Sequence, residues 1–368
     1  MPVSRFYIWH IEFIINHKFF MDLKNLNKLS LDGIKRICGN MLKRKIFGSN
    51  DLKPLMLCYY VNYDCNFSCQ FCSRKEEVNS IKKVEQLSLK DSYRLLEMAR
   101  KSIPAVYFTG GEPLLHPHIE AIVQKAKELK FNLIALNTNG SLLNRHWEIL
   151  DGLDVLVVSL HSLNEKRIAK ICGVNEISSS QIIKNIEDCA KLQKLKKFKM
   201  TINCVITPDN IPDVYEILDF CLKNNLKLSI VPEEGRGCMV NNELKDNPEY
   251  KKLIEHLIKI KKSKKGVIFN STLYLEIIQD LSNPFSCIPS LLSCVAPDGQ
   301  LYYPCPEISN KIATNILHYE SYDLAAEAGK AKFNSLFGKF IGCAEANTFK
   351  AAHIEPLLLV ENPLNYLG

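Results

Sequence analysis

Three cysteines, Cys65, Cys69 and Cys72, stand within eight consecutive positions of a 368-residue chain. Thiolates separated by three and then two residues can wrap one corner of an iron–sulfur cubane and hold three of its four irons. The fourth iron is then open to a substrate or cofactor. Zinc also takes thiolates, although a zinc knuckle usually pairs two CxxC units and closes with four ligands, and buried cysteines can be purely structural. The triad alone leaves these three chemistries open. A second motif, Thr109, Gly110, Gly111, Glu112 and Pro113, lies about 40 residues further on. Paired glycines let a backbone turn sharply and approach a ligand closely, and a carboxylate on the same loop can accept from an ammonium group. By itself the pair of glycines would be an ordinary turn.

Both motifs need elements to hold them, and the pattern around them supplies these. From residue 55 to about 265, short runs rich in β-branched and aromatic residues alternate with longer stretches of helical spacing. Six strands are expected, at 55–62, 105–109, 132–137, 155–160, 199–206 and 227–231. Helices are expected between them. Ile119, Ile122, Ala126 and Leu129 share one helical face, as do Val214, Ile217, Leu218 and Cys221, with Pro212 near that helix start. Ser88 and Asp91 resemble a capping box opening a helix to about residue 101. Six such alternations call for a parallel sheet, because parallel neighbours need a crossover and a helix provides it. Periodicity does not choose between an open sheet and one curled into a partial barrel.

With these residues in place, the sequence resembles the radical S-adenosylmethionine (radical SAM) superfamily. The likeness rests on Cys65, Cys69 and Cys72, with aromatic Phe71 before the third, and on the Gly110, Gly111, Glu112, Pro113 motif. It implies an α/β fold, a partial (βα)6 TIM-like barrel with a C-terminal cysteine-containing cap. It also implies a [4Fe-4S] cluster on the three cysteines, and S-adenosylmethionine chelating the open iron with its ammonium near the 110–112 loop. One electron splits the carbon–sulfur bond of the sulfonium, and the deoxyadenosyl radical removes hydrogen from a substrate. A small electron donor such as flavodoxin or ferredoxin is implied as partner. Thr138, Asn139 and Gly140 match a Thr-Asn-Gly that the family often places near the cofactor, so Thr138, Asn139 and Ser159 are candidate cofactor contacts. The family's Ser-x-Asp departs here, since His161 replaces the Asp. Asn203, Glu233, Glu234 and Arg236 are expected at the same strand edge, where parallel sheets bind ligands.

The last third carries Cys287, Cys294, Cys305 and Cys343 around Pro297, Asp298 and Gly299. An Asp-Gly turn between apolar segments is a hairpin signal, and it brings flanking cysteines together. This is similar to the SPASM and twitch extensions of radical SAM enzymes and implies one auxiliary iron–sulfur cluster; the dense cysteine run of a full SPASM set is absent. A zinc site or free thiols are the other readings. Cys38, Cys58, Cys172, Cys189, Cys204, Cys221 and Cys238 show no ligand spacing and read as small core residues. The expected division is a basic helical segment at 1–50, a core at 51–265 and an extension at 266–368.

Composition bounds the rest. With 46% hydrophobic and 24% charged residues the chain has a globular composition, which excludes disorder and collagen, and no apolar run approaches the roughly 20 residues of a membrane span. Forty-seven Lys and Arg against 40 Asp and Glu leave +7, too small an excess to point to nucleic acid. Unpaired cysteines in ligand-like spacing and no visible leader lead us to expect a reducing cytoplasm. A basic amphipathic helix at 31–46 could touch an anionic membrane or pack on the main domain. That helix and the apolar run 357–360 also suit a lipid substrate; peptides and cofactor precursors are the other classes. A zinc-binding adaptor without catalysis is the competing function. Colour separates the two: anoxically purified protein is expected to be brown with broad visible absorption, and a colourless, zinc-loaded product would establish the adaptor instead.

Overall fold

The computed structural model describes residues 31–80, 84–234, 240–263, 266–282, 288–308, 311–339 and 351–361. Among these residues nine strands form one sheet. Strands β1 (Met56–Asn62), β2 (Ala105–Gly110), β3 (Leu133–Thr138), β4 (Val155–Ser159), β5 (Lys199–Ile206) and β6 (Lys227–Pro232) lie in sequence order, all parallel. The six expected strands are therefore present, each within a residue or so of its expected ends. Helices α1 (Leu31–Phe47), α2 (Leu89–Arg100), α3 (Ile119–Glu128), α4 (Glu165–Cys172), α5 (Glu176–Leu192) and α6 (Ile211–Asn224) precede or connect them. Ser88 caps α2 by accepting from the Asp91 N–H at 3.1 Å, as its spacing foretold.

The β1 sequence sorts itself onto two faces by its period of two. Leu57, Tyr59 and Val61 are fully buried in the main core with Leu95 and Leu96 of α2, and the Tyr59 hydroxyl meets Ser92 Oγ at 3.1 Å. Each such side chain contributes about 1.5–3 kcal/mol by leaving water. Met56, Cys58 and Tyr60 point to the opposite face, together with Tyr107 of β2. The sheet is a partial (βα)6 barrel that does not close: the far edge of β6 pairs with the 267–269 segment instead, through Leu228. The other edge of β1 is taken by β7 (Leu292–Val295), which runs parallel to it. Beyond it, β8 (Gln300–Tyr303) and β9 (Ile312–Asn315) continue antiparallel. The expected hairpin is there, with Gly299 at φ +82° and Gln300 N–H donating to Asp298 Oδ1.

Four longer helices follow β6 among the described residues: α7 (Pro248–Ser263), α8 (Thr272–Gln279), α9 (Tyr322–Phe337) and α10 (Ala351–Glu361). Helix α1 docks Ile37 and Met41 against Leu357 and Val360 of α10, with Leu291 between them. This corrects the reading of 357–360 as a lipid-facing run, because Leu357, Leu358 and Val360 are at most 3% exposed and belong to packed cores. Leu42 of α1 is 51% exposed, while Ile37 and Met41 supply the contact. Among the described residues no helix is long and apolar enough to cross a membrane.

Candidate active site at the cysteine loop

The chain leaves β1 at Asn62 and enters a loop that carries all three cysteines of the triad, each half-buried and unpaired. Phe67 anchors the loop in the core. Two of its amides, Ser68 N–H and Gln70 N–H, donate to the carbonyls of Cys172 and Ile171 at 2.9 and 3.1 Å. These carbonyls belong to the last turn of α4, which has no intrahelical donors left for them. Burial raises the Cys65 thiol to about 12 and raises Cys72 as well; contact with the Cys172 thiol, then burial, raises Cys69. A metal centre bound here must therefore displace protons. Three thiols on one loop, braced on both sides, fit a three-thiolate cluster. Among the described residues no three His, Cys, Asp or Glu side chains converge on a single metal ion. A polynuclear centre spreads its ligands over several irons and needs no such convergence.

The glycine motif is built against the same loop. Gly110 has φ +150°, and a Cβ there would collide with the Asn62 carbonyl; one on Gly111 would collide with the carbonyl of Asp64. Gly111 N–H donates to Asn62 O at 3.0 Å and Glu112 N–H to Asp64 O at 2.7 Å. The close approach that these glycines permit is thus to the end of β1. Glu112 is fully buried, and burial raises its carboxyl to about 7 despite its donors. Leu114 N–H and the Thr138 hydroxyl donate to Oε1 at 3.0 and 2.8 Å, and Asn139 N–H to Oε2 at 2.7 Å. The carboxylate expected to meet an ammonium group instead ties the β2 loop to the end of β3. Asn139 Nδ2 in turn donates to Asn66 Oδ1 at 2.9 Å, and Asn66 Nδ2 to Ser141 Oγ at 2.9 Å, so the β3 loop grips the cysteine loop.

Ser159 ends β4 in register with Asn203 of β5, half-buried. His161 is buried; burial lowers it to about 4, and its Nδ1 accepts from Val205 N–H at 3.1 Å. Its ring packs edge-on to Phe71 at 4.6 Å, so this neutral imidazole supports the cysteine loop through Phe71. Glu233 accepts from Asn241 Nδ2 at 2.7 Å and Glu234 is buried, whereas Arg236 lies outside the described residues. Of the C-terminal cysteines, Cys294 and Cys305 are buried; Cys287 and Cys343 lie outside the described residues.

Two cysteines that spacing did not single out stand at these sites. Cys172 touches Cys69, and Cys58 sits directly across from Cys294 in the β1–β7 ladder. Only the strand register could have found Cys58, and the pairing of β1 with β7 is not written in local sequence. Arg74, two residues after Cys72, forms a buried ion pair with Glu307, two residues after Cys305, and lies over the Tyr60 ring at 5.4 Å.

The profile of the family described as the radical SAM superfamily matches residues 59–221, which span the cysteine loop, the glycine motif and strands β1 to β5. The chain carries a radical SAM domain over these residues. It is a radical SAM enzyme, and the non-catalytic zinc adaptor is set aside. A probable GTP 3′,8-cyclase of Sulfurisphaera tokodaii is 29% identical over 257 residues, 64% of this chain and 76% of that one. Among solved structures, SuiB of Streptococcus suis bound to the precursor peptide SuiA has a TM-score of 0.59 at 19% identity, covering 89% of this chain and 80% of that one. Native anSMEcpe with bound AdoMet and Cp18Cys peptide has a TM-score of 0.58 at 18% identity, covering 85% and 98%. At these identities the structural likeness is one of fold. Radical SAM enzymes use S-adenosylmethionine, a [4Fe-4S] cluster, a reductant and a substrate.

Two outcomes follow from the site's packing. Gly111→Ala forces a Cβ onto a backbone carbonyl that has no rotamer to change, which is expected to cost about 1–3 kcal/mol. The measurement is the thermal midpoint together with iron uptake, and an unchanged midpoint would disprove the contact. His161, held near 4 against an ordinary 6.5, takes its proton later in the folded than in the unfolded chain. Stability present above pH 6.5 is therefore lost as pH falls toward 4, by up to about 3 kcal/mol for this one group. His116, also lowered to about 4 by burial, adds to the same window. In urea unfolding at pH 7 and pH 5, His161→Asn is expected to lose less stability between the two pH values than the parent. An equal loss would show that His161 does not titrate in this range.

Proposed function

We propose that this chain cleaves S-adenosylmethionine reductively at a [4Fe-4S] cluster held by Cys65, Cys69 and Cys72, and uses the product radical to abstract hydrogen from a peptide. The observation that carries this reading is the single braced loop of three half-buried thiols set against the Gly110–Gly111 turn. When bound, the reduced cluster supplies one electron to the sulfonium, which breaks into methionine and a 5′-deoxyadenosyl radical. The protein's own part is positional. Phe67 and Phe71 fix the loop from the core side, and Glu112 locks the β2 and β3 ends so that the site enters the reaction preorganised.

In this reading Gly110, Gly111 and Glu112 position the cofactor through their loop, and Thr138, Asn139 and Ser159 border it. The core at 51–265 carries this chemistry. The 266–368 extension is a SPASM- or twitch-like unit with an auxiliary cluster, for which Cys287, Cys294, Cys305 and Cys343 are the candidate ligands. A flavodoxin or ferredoxin would deliver the electron. A peptide substrate is supported by the two neighbours named with bound peptides, which cover 85–89% of the chain. A guanosine nucleotide is the second reading, favoured by the GTP 3′,8-cyclase relatives.

The test is release of 5′-deoxyadenosine, followed by mass spectrometry, from anoxically reconstituted protein under dithionite. The parent is expected to release it and Cys69→Ala to lose the activity by at least about a hundredfold, as befits a ligand rather than a supporting residue. Continued cleavage by Cys69→Ala would contradict the ligand assignment. Stimulation by GTP would favour the nucleotide reading over the peptide.

A further inference from the structure

Cys58 has no partner in local sequence and was read as a core residue, yet the sheet gives it company. β7 pairs in parallel with β1, and the register places Cys294 directly opposite Cys58. Both thiols sit on the sheet face turned away from the helix layer, among Met56, Tyr60, Tyr107 and Tyr302. The two thiols are in contact, and Cys305 and the Arg74 guanidinium lie near enough to act on Cys294. Cys58, Cys294 and Cys305 are 7%, 3% and 2% exposed. A lone buried cysteine is a small hydrophobe. Three neighbouring ones on one buried face, with a guanidinium in their field, supply sulfur ligands of the kind an iron–sulfur centre takes.

We propose that Cys58 is a ligand of the auxiliary iron–sulfur centre, together with Cys294 and Cys305. The proposal rests on the auxiliary-centre reading given above and adds to it a residue from the first strand of the barrel. Ligation is a simple exchange. Each thiol gives its proton to solvent as its sulfur–iron bond forms and a water leaves the iron; ferrous and ferric iron with sulfide supply the cluster, so no further oxidant or reductant is needed. One consequence is geometric: β1 would carry an auxiliary ligand in its middle and deliver the triad from its end, so both centres would hang on one strand.

The experiment uses the full chain with Cys65, Cys69 and Cys72 all changed to Ala, so that only the auxiliary centre can retain iron. After anoxic reconstitution with ferrous and ferric iron and sulfide, iron and acid-labile sulfide are counted and the electron paramagnetic resonance spectrum of the reduced protein is recorded. Adding Cys58→Ser is expected to remove most of the iron or to shift the spectrum, and Cys58→Ala to do the same. Cys221→Ser, at another buried thiol, should leave both unchanged. Circular dichroism identifies folded variants, and either Cys58 variant suffices for the comparison. If folded Cys58 variants keep the parent's iron and spectrum, the inference is overturned while the auxiliary centre stands. If the parent background itself holds no iron, both fall.

Discussion

The structure turns on the contact between the ends of β1 and β2. Two adjacent residues without side chains let Gly110 and Gly111 lie against the carbonyls of Asn62 and Asp64, where any Cβ would collide. The hydrogen bonds from Gly111 and Glu112 to those carbonyls then fix the exit of β1. Everything distal to that point, including the cysteine loop, takes its position from it. The glycines of this motif act first on the protein's own backbone, and their effect on a cofactor follows from the loop they place.

From that joint, constraint spreads by polar contacts that close on one another. Glu112 binds Leu114, Thr138 and Asn139; Asn139 binds Asn66; and Asn66 lies between the first two cysteines of the triad. A buried carboxylate with three donors is costly to disturb, because every donor left behind loses its partner in a low-dielectric setting. On the other side, α4 offers its terminal carbonyls and His161 offers a ring face to Phe71. The loop is therefore held from β2, β3, β4 and α4 at once. Such bracing is what a centre needs if its open coordination position is to stay aimed at one place.

Much of this was legible in the sequence because it is local. Strand identity followed from runs such as 155–160, set between Asp154 and His161, and the Ser88 cap and the Pro297-Asp298-Gly299 turn followed from short-range chemistry. The triad and the glycine motif announced themselves by spacing. Long-range placement was not legible. Nothing near Cys58 or Cys294 says that β7 will add to the open edge of β1, since that choice depends on which edge of the sheet is left bare. Likewise the 357–360 run looks the same whether it faces a lipid or, as here, the core and α1. Glu112 was assigned by residue type to a ligand, and its burial redirects it inward.

Arg74 and Glu307 join the segment after the triad to the segment after Cys305, with both side chains almost removed from water. Losing one partner of such a pair leaves the other charge in a low-dielectric setting, tempered for Arg74 by Glu77 at 3.4 Å, whereas replacing both together by apolar groups can be neutral. The two positions are 233 residues apart in the chain. A swap of the extension alone would therefore meet a barrel whose half of this seam no longer matches it, so the two segments of this chain are joined by charge as well as by the sheet.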